Sequence, residues 1–314
     1  MKRASGYTIM EILILIALIG IFSAAFISFF SGILRSERQA RFTIKTEADV
    51  SALRTFLKKE LQSIGFGISA DYLKTNPGNC SASAVISGNN TKLCYLSLAS
   101  RQTKWAGCWW MIDSSGIVFT NATSRFGGLC PALNDREIRD HMCLFLDNNR
   151  LRKENGIFRC NDTSQARTSV VFYLDRGNPS YPSDFLVKLF WSNSSTNTPD
   201  KSCHPYLQRS TLQLETNDNN QPVISCVLDF RIKYIDKSGN PLNTLSPSLQ
   251  DLAGIRVCLI VQAGGRGTIR YQESLTYSER CGGETITLSG DYQFYPFKVI
   301  EEEVSLPNLR GWGN

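Results

Sequence analysis

The sequence predicts an α+β protein: a long N-terminal helix, transmembrane in its first half and amphipathic in its second, packed on a large antiparallel β-sheet head. Three observations predict it. Residues Ile12 to Leu34 carry no charge over 23 positions. Apolar residues then recur with helical spacing at Val50, Leu53, Leu57, Leu61 and Ile64. From about residue 80 the pattern becomes an alternation of period two, punctuated by turn residues.

The uncharged run is long enough for a bilayer: at 1.5 Å per residue it would span roughly 34 Å. Lys2 and Arg3 precede it, which orients the N-terminus to the cytoplasm and the remainder outside. A secretory signal peptide would need a small-x-small cleavage site, and Ser23 and Ala25 offer a poor one. A signal anchor fits the hydropathy, but neither reading accounts for Glu11 at the head of the apolar run. A carboxylate near a membrane is costly and usually has a partner.

In the next segment Glu47, Asp49, Arg54, Lys58 and Lys59 are left mostly for the faces away from the apolar stripe. No proline occurs before Pro77, and Gly65 and Gly67 supply a stop. One helix is therefore expected from about Thr8 to about Ile64. Beyond it, strands are expected at 93–98, 107–112, 117–120, 142–147, 156–160, 169–175, 185–191, 210–215, 223–235, 255–262, 269–277 and 293–305. The clearest alternation is Ile224, Cys226, Leu228, Phe230, Ile232 and Tyr234. Residues 193–205, SNSSTNTPDKSCH, read as a polar linker between two lobes.

The chain has 314 residues, 42% hydrophobic and 20% charged, which excludes disorder and repetitive fibres for most of its length. Its ten cysteines are Cys80, Cys94, Cys108, Cys130, Cys143, Cys160, Cys203, Cys226, Cys258 and Cys281. An even count spread through the globular part favours disulfides in an oxidising compartment, against the alternative of free buried thiols. No C-x-x-C exists, which argues against zinc ribbons and thioredoxin-type pairs. Spacing leaves the connectivity open. Sequential pairing would close short loops: Cys80–Cys94, Cys108–Cys130, Cys143–Cys160, Cys203–Cys226 and Cys258–Cys281.

Enzyme signatures are missing. There are two histidines, His141 and His204, and no H-E-x-x-H, G-x-S-x-G, P-loop or dinucleotide fingerprint. His204 reads as a surface residue, Gly264-Gly-Arg-Gly267 as a hairpin loop and Glu301-Glu-Glu303 as a solvated strand end. Asp218-Asn-Asn220 and the loop starting at Asp236 lack the acidic ladder of a calcium site. No catalytic residue, metal or cofactor is assigned. The formal charge is +6, but residues 65–314 hold 25 Lys+Arg against 23 Asp+Glu, so the head is nearly neutral, which argues against a nucleic-acid partner. Arg35, Arg38 and Arg41 carry much of the excess.

One set of residues resembles a known family. Gly6-Tyr7-Thr8-Ile9-Met10-Glu11, followed by ILILIALIGIFSAAFI, is similar to the class III prepilin signal of type IV pilins and type II secretion pseudopilins. The resemblance implies cleavage by a prepilin peptidase between Gly6 and Tyr7, N-methylation of Tyr7, and a role for Glu11 in assembly register. Ala17 and Gly20 also match the usual helix pattern. Major pilins commonly carry a proline where Ser28 stands, and Tyr7 replaces the usual phenylalanine. The length and Ser28 point to a minor pilin. ALRTFLKKELQSIGFG, DFRIKYIDKSGNP, AGIRVCLIVQ and the terminal EVSLPNLRG are similar to PilW-type minor pilins.

The resemblance implies a pilin-like organisation: a leader at 1–6, a transmembrane half-helix at 7–34, an amphipathic half-helix at 35–65 and a periplasmic, disulfide-bonded head at 66–314. The implied protein is single-pass in the inner membrane before assembly and then lies at the pilus tip on the cell surface. Implied partners are other minor and major pilins, the prepilin peptidase, the inner-membrane assembly platform and a tip adhesin. The implied function is to prime type IV pilus assembly at or near the tip. The alternatives are a J-type pseudopilin of a type II secretion system and a surface-binding adhesin module.

Overall fold

The computed structural model describes residues 19–20, 22–23, 26, 47–68, 72, 74–77, 80–100, 105–113, 115–120, 123–124, 128–133, 135–147, 154–161, 169–174, 180–216, 219–242, 245 and 251–310. Helix α1, residues 47–62, shows the predicted stripe: Val50, Leu53, Leu57 and Leu61 are buried, while Glu47, Asp49, Arg54, Lys58 and Lys59 are exposed. The helix ends where Gly65 and Gly67 take positive φ, at 76° and 68°. A Cβ at Gly65 would lie 2.5 Å from Leu309 Cδ2, so this turn has neither the conformation nor the room for a side chain. Residues Pro307–Arg310 form a short helix, α2. Its Asn308 donates to the carbonyls of Gln62 and Ile64 at 2.8 and 3.1 Å, capping groups that the end of α1 leaves unpaired. At Glu47, the first described residue of this helix, Lys298 Nζ meets the carboxylate at 2.6 Å.

Three sheets surround that helix face. The first has the order β1 (Thr75–Pro77), β2 (Ile86–Asn89), β3 (Lys92–Leu96), β9 (Leu186–Asn193), β10 (Ser210–Thr216) and β11 (Asn219–Ser225). The second runs β5 (Gly116–Thr120), β4 (Trp109–Asp113), β8 (Ser169–Leu174), β6 (Met142–Asp147) and β7 (Glu154–Arg159). The third runs β13 (Pro241–Leu242), β12 (Val227–Asp236), β14 (Leu252–Gln262) and β17 (Phe297–Ser305). A hairpin of β15 (Ser274–Thr276) and β16 (Thr285–Thr287) adds to the side of the third sheet away from the helix. Pairing is antiparallel except between β1 and β2.

Each sheet turns one face to a shared central core with α1. Val187, Leu189 and Leu212 come from the first sheet, Leu144 and Phe172 from the second, and Phe230, Ile232 and Leu259 from the third. Strand β14 shows why its sequence is almost continuously apolar. Ile255, Val257, Leu259 and Val261 enter the central core, while Cys258 and Ile260 enter an outer core with Leu275, Tyr277, Tyr295 and Phe297. The second sheet likewise has another outer core beneath its far face, built on Trp110, Ile138, Phe145 and Tyr173. A strand buried on both faces has no polar side to alternate with.

The expected long helix packed on a sheet is corrected by this architecture. Of the described residues 44% are strand and 18% helical, and both α-helices are short. No helix among the described residues is long and apolar enough to cross a membrane. The expected single-pass inner-membrane placement is corrected on the same finding. In α1 the apolar stripe packs on the sheets and the charged remainder faces away, the pattern expected of the amphipathic half. The leader at 1–6 lies outside the described residues, as does most of 7–34, where the membrane span was expected; only residues 19–20, 22–23 and 26 of that stretch are described, as helix.

The expected strand at 223–235 is also two strands. At Cys226 the backbone takes φ 60°, unusual for a residue other than glycine. Before it, β11 pairs with β10 in the first sheet; after it, β12 pairs with β14 in the third. Residues 193–205 are not a linker between lobes, because they lie in the connection between the adjacent strands β9 and β10.

Candidate binding cleft

Gly6, Tyr7 and Glu11, the residues on which the prepilin resemblance rests, lie outside the described residues. The ten cysteines are described, and they form five pairs: Cys80–Cys94, Cys108–Cys130, Cys143–Cys160, Cys203–Cys226 and Cys258–Cys281. Their Cα separations run from 4.9 to 6.0 Å, inside the span a disulfide bridges. Each cysteine thus meets its sequential neighbour.

The connection from 194 to 209 is where the surface becomes concave. It folds back over β9 and β10, held by side chains that bond to backbone. Asn197 Nδ2 donates to the Arg209 carbonyl at 2.7 Å, and Arg209 Nη1 donates to the Asn197 carbonyl at 2.8 Å and to the Ser195 carbonyl. Asp200 Oδ1 accepts from the Ser202 amide and hydroxyl at 3.0 and 2.6 Å. The segment is rich in Ser, Thr and Asn because these side chains replace the ladder bonds that a loop lacks. Its far end is fixed by the Cys203–Cys226 bond and by Gln262, whose side chain accepts from the His204 amide at 2.7 Å and donates to the carbonyls of Gly264 and Ser202 at 2.8 and 3.1 Å.

Two hollows result, on either side of β11, the edge strand of the first sheet. One, of about 580 Å³, lies between the connection and the outer face of β10 and β11. Its walls include Asn197, Asp200, Lys201, Thr211, Gln213 and Asn220. The other, of about 600 Å³, lies between β11 and α1, with Ala52, Leu53, Phe56, Pro222 and Ile224 among its walls. Asp200, Pro222 and Ser225 border both, so the two hollows form one cleft bent around the strand edge.

Asp200 also lies close to the sulfurs of Cys203 and Cys226. Those sulfurs are bonded to each other, so this group offers a metal one carboxylate only. Asp236, at the other loop weighed for calcium, turns Oδ1 to the amides of Ser238 and Asn240 at 2.8 Å each. Asp218 lies outside the described residues.

His204 corrects its expected surface position: the side chain is 2% exposed. Its ring stacks on Tyr292 with centroids 3.9 Å apart and meets Tyr295 edge-on at 5.0 Å. Nδ1 accepts from the Tyr206 amide at 3.3 Å, whereas Nε2 has no hydrogen-bond partner and stands 3.9 Å from Asp291 Oδ2. Burial pushes its pKa below the usual histidine value, and the Asp291 charge opposes this in part. Asp291 itself is bonded to Arg266 at 2.9 Å.

No family model matches the chain, and no curated protein or solved structure matches it. Its sites are therefore read from their own chemistry. The cleft displays amides, hydroxyls, the adjacent pair Asp200 and Lys201 and the further carboxylate of Asp49, which are groups that bind polar ligands by hydrogen bonds. Sequence reasoning missed it because its residues come from a polar segment that resembles any solvated loop. The one available signal was Cys203 at the end of that segment, since a disulfide there implies a fixed and not a free connection. Glu60 was missed as well. It is 1% exposed on the inward face of α1, with Oε1 accepting from Tyr95 Oη at 2.7 Å. Its position three residues after Leu57 places it on the buried stripe.

Proposed function

We propose that this chain is a minor pilin that primes type IV pilus assembly and sits at or near the tip. The observation that carries the reading is Gly6-Tyr7-Thr8-Ile9-Met10-Glu11 ahead of a stretch without charges. The short helix and the disulfide-bonded sheets fit a subunit that presents a fixed β-rich body. The exposed face of α1, with Arg54, Lys58 and Lys59, is available to neighbouring subunits. On this reading the chain is a structural subunit and not an enzyme. Its partners are the prepilin peptidase, the assembly platform and the other pilins, and Glu11 sets the register against the amine of Tyr7 on an adjacent subunit.

Intact-mass analysis of the chain recovered from cells that make such filaments tests the reading. The mature protein should begin at Tyr7 and carry one added methyl group. Glu11→Val should be processed normally while filament number falls. A chain that still begins at Met1, or one cut after Ala25, contradicts it.

A further inference from the structure

We infer that the bent cleft around β11 binds a neutral saccharide, a site that does not depend on whether the chain enters a filament. The argument begins at the floor of the polar hollow. Gln213 and Thr211 are 7% and 4% exposed, so their polar atoms are held by protein on most sides. The two amide hydrogens of Gln213 are used, one by Asn197 Oδ1 at 2.6 Å and one by Thr211 Oγ1 at 3.0 Å. Its carbonyl oxygen has no partner among the described residues and remains as an acceptor in the hollow. Thr211 Oγ1 accepts twice, from Gln213 and from Asn197 at 3.3 Å, so its own hydrogen remains to donate. Gln213 thus offers an acceptor and Thr211 a donor, both from residues that line the hollow, and together they suit a group that donates and accepts at once. A hydroxyl does that, and a saccharide carries a row of them.

The walls select against anionic ligands, since the two hollows together hold the carboxylates of Asp49 and Asp200 and the single cation Lys201. Asp200 and Lys201 are adjacent and opposite in sign, and Thr196, Thr198 and Asn220 are neutral. A phosphate or a nucleic-acid backbone would find one cation beside one anion, not a basic face. The edge strand also selects against a peptide added as an extra strand. Pro222 has no amide hydrogen, and the pairing with β10 slips between Leu212 and Gln213 so that Val223 bulges. Both features blunt an edge for pairing. They leave a cleft read by side chains. On the far side of the edge, Phe56, Ala52 and Pro222 offer apolar surface for the C–H faces of a second sugar ring. Each hollow is of a size that takes a small ligand. The walls are fixed before binding by the Asn197–Arg209 bonds and the Cys203–Cys226 bridge, which lowers the ordering cost.

The test uses the full chain with three neutral probes, maltotriose, lactose and chitotriose, followed by NMR titration. At least one should bind saturably and shift the Gln213 side-chain amide. Asn220→Ala, at an exposed position, should weaken it several-fold, and Gln213→Ala about tenfold, the loss of one hydrogen bond. Thermal melts confirm that the variants are folded, and Asn220→Ala should leave filament formation unchanged. Failure of all three probes to bind overturns the inference. So does binding that both variants leave intact, or binding that Tyr206→Ala removes instead, because each places the ligand elsewhere. Tighter binding of a sulfated disaccharide than of its neutral parent overturns the assignment of ligand class. None of these results bears on processing at Gly6, which is read separately by mass.

Discussion

The central core contains no cysteine, whereas each outer core contains two disulfides. Val50, Leu57, Phe230, Val257 and their neighbours meet between α1 and three sheets with no cysteine among them, although Cys80–Cys94 ties β3 of the first sheet. Beneath the far face of the third sheet, Cys203–Cys226 and Cys258–Cys281 lie within a much smaller cluster. Beneath the far face of the second sheet, Cys108–Cys130 and Cys143–Cys160 do the same. The difference follows from size. A cluster of a few side chains under long loops buries too little surface to offset the entropy of ordering those loops. A cross-link removes part of that entropy from the unfolded state.

The largest effect expected from this contrast is in the central core. Leu57 is 0% exposed and lies on the stripe that joins α1 to the sheets. Leu57→Ala should cost about 2–5 kcal/mol, the lost transfer energy plus a cavity. Because every sheet shares that core, denaturant unfolding should move to a lower midpoint as a whole. Loss confined to residues 264–297 would break the contrast.

A smaller and more local effect is expected from the outer core. Cys258→Ala combined with Cys281→Ala opens a bridge with a sequence separation of 23 and should cost about 2–4 kcal/mol. Hydrogen exchange should speed up in β15, β16 and 290–296. The amides of β12 and β14 that pair within the third sheet should keep most of their protection. Uniform loss across all three sheets would show that the outer core is not a separate unit.

The same contrast explains what could be read from sequence. The stripe on α1 was legible because Val50, Leu53, Leu57 and Leu61, with Ile64 in the turn that follows, repeat at helical spacing toward one core. The strands from 142 to 147 and from 169 to 174 were legible because their apolar runs are short and bounded. The run from Ile224 to Tyr234 was misleading. Its alternation looks continuous, yet Val227 and Phe230 both enter the central core, while Leu228 packs on the outer one. A bulge between Val227 and Asp229 resets the parity, and Cys226 turns the chain from one sheet to another. Neither event leaves a mark in a hydropathy pattern. The short strands β1, β2, β13 and β16 were not expected, since two to four residues give no period to detect. The cleft was illegible for a related reason: Asn197, Thr211 and Gln213 work through specific bonds, and composition reports only that they are polar.

The smallest effect expected is a pH dependence of the outer core near His204. The ring is closed in by Tyr206, Tyr292 and Tyr295, with Asp291 and its partner Arg266 as the charged groups facing it. Because Nδ1 accepts from the Tyr206 amide, the neutral ring carries its proton on Nε2. Burial holds the folded pKa below the ordinary 6.5, and Asp291, at 3.9 Å and already bonded to Arg266, offsets only part of this. The unfolded segment therefore binds more protons than the folded one as pH falls below about 6.5, and stability falls with it. Above that pH the contribution is constant. Hydrogen exchange corrected for intrinsic rates should show faster opening of residues 264–273 and 290–296 at pH 5 than at pH 7.5. The central strands should not respond. His204→Asn, which keeps an acceptor for the Tyr206 amide but does not titrate, should flatten the difference. Slower opening in acid would reverse the sign, because it would mean that a protonated His204 pairs with Asp291 more strongly than burial resists the charge.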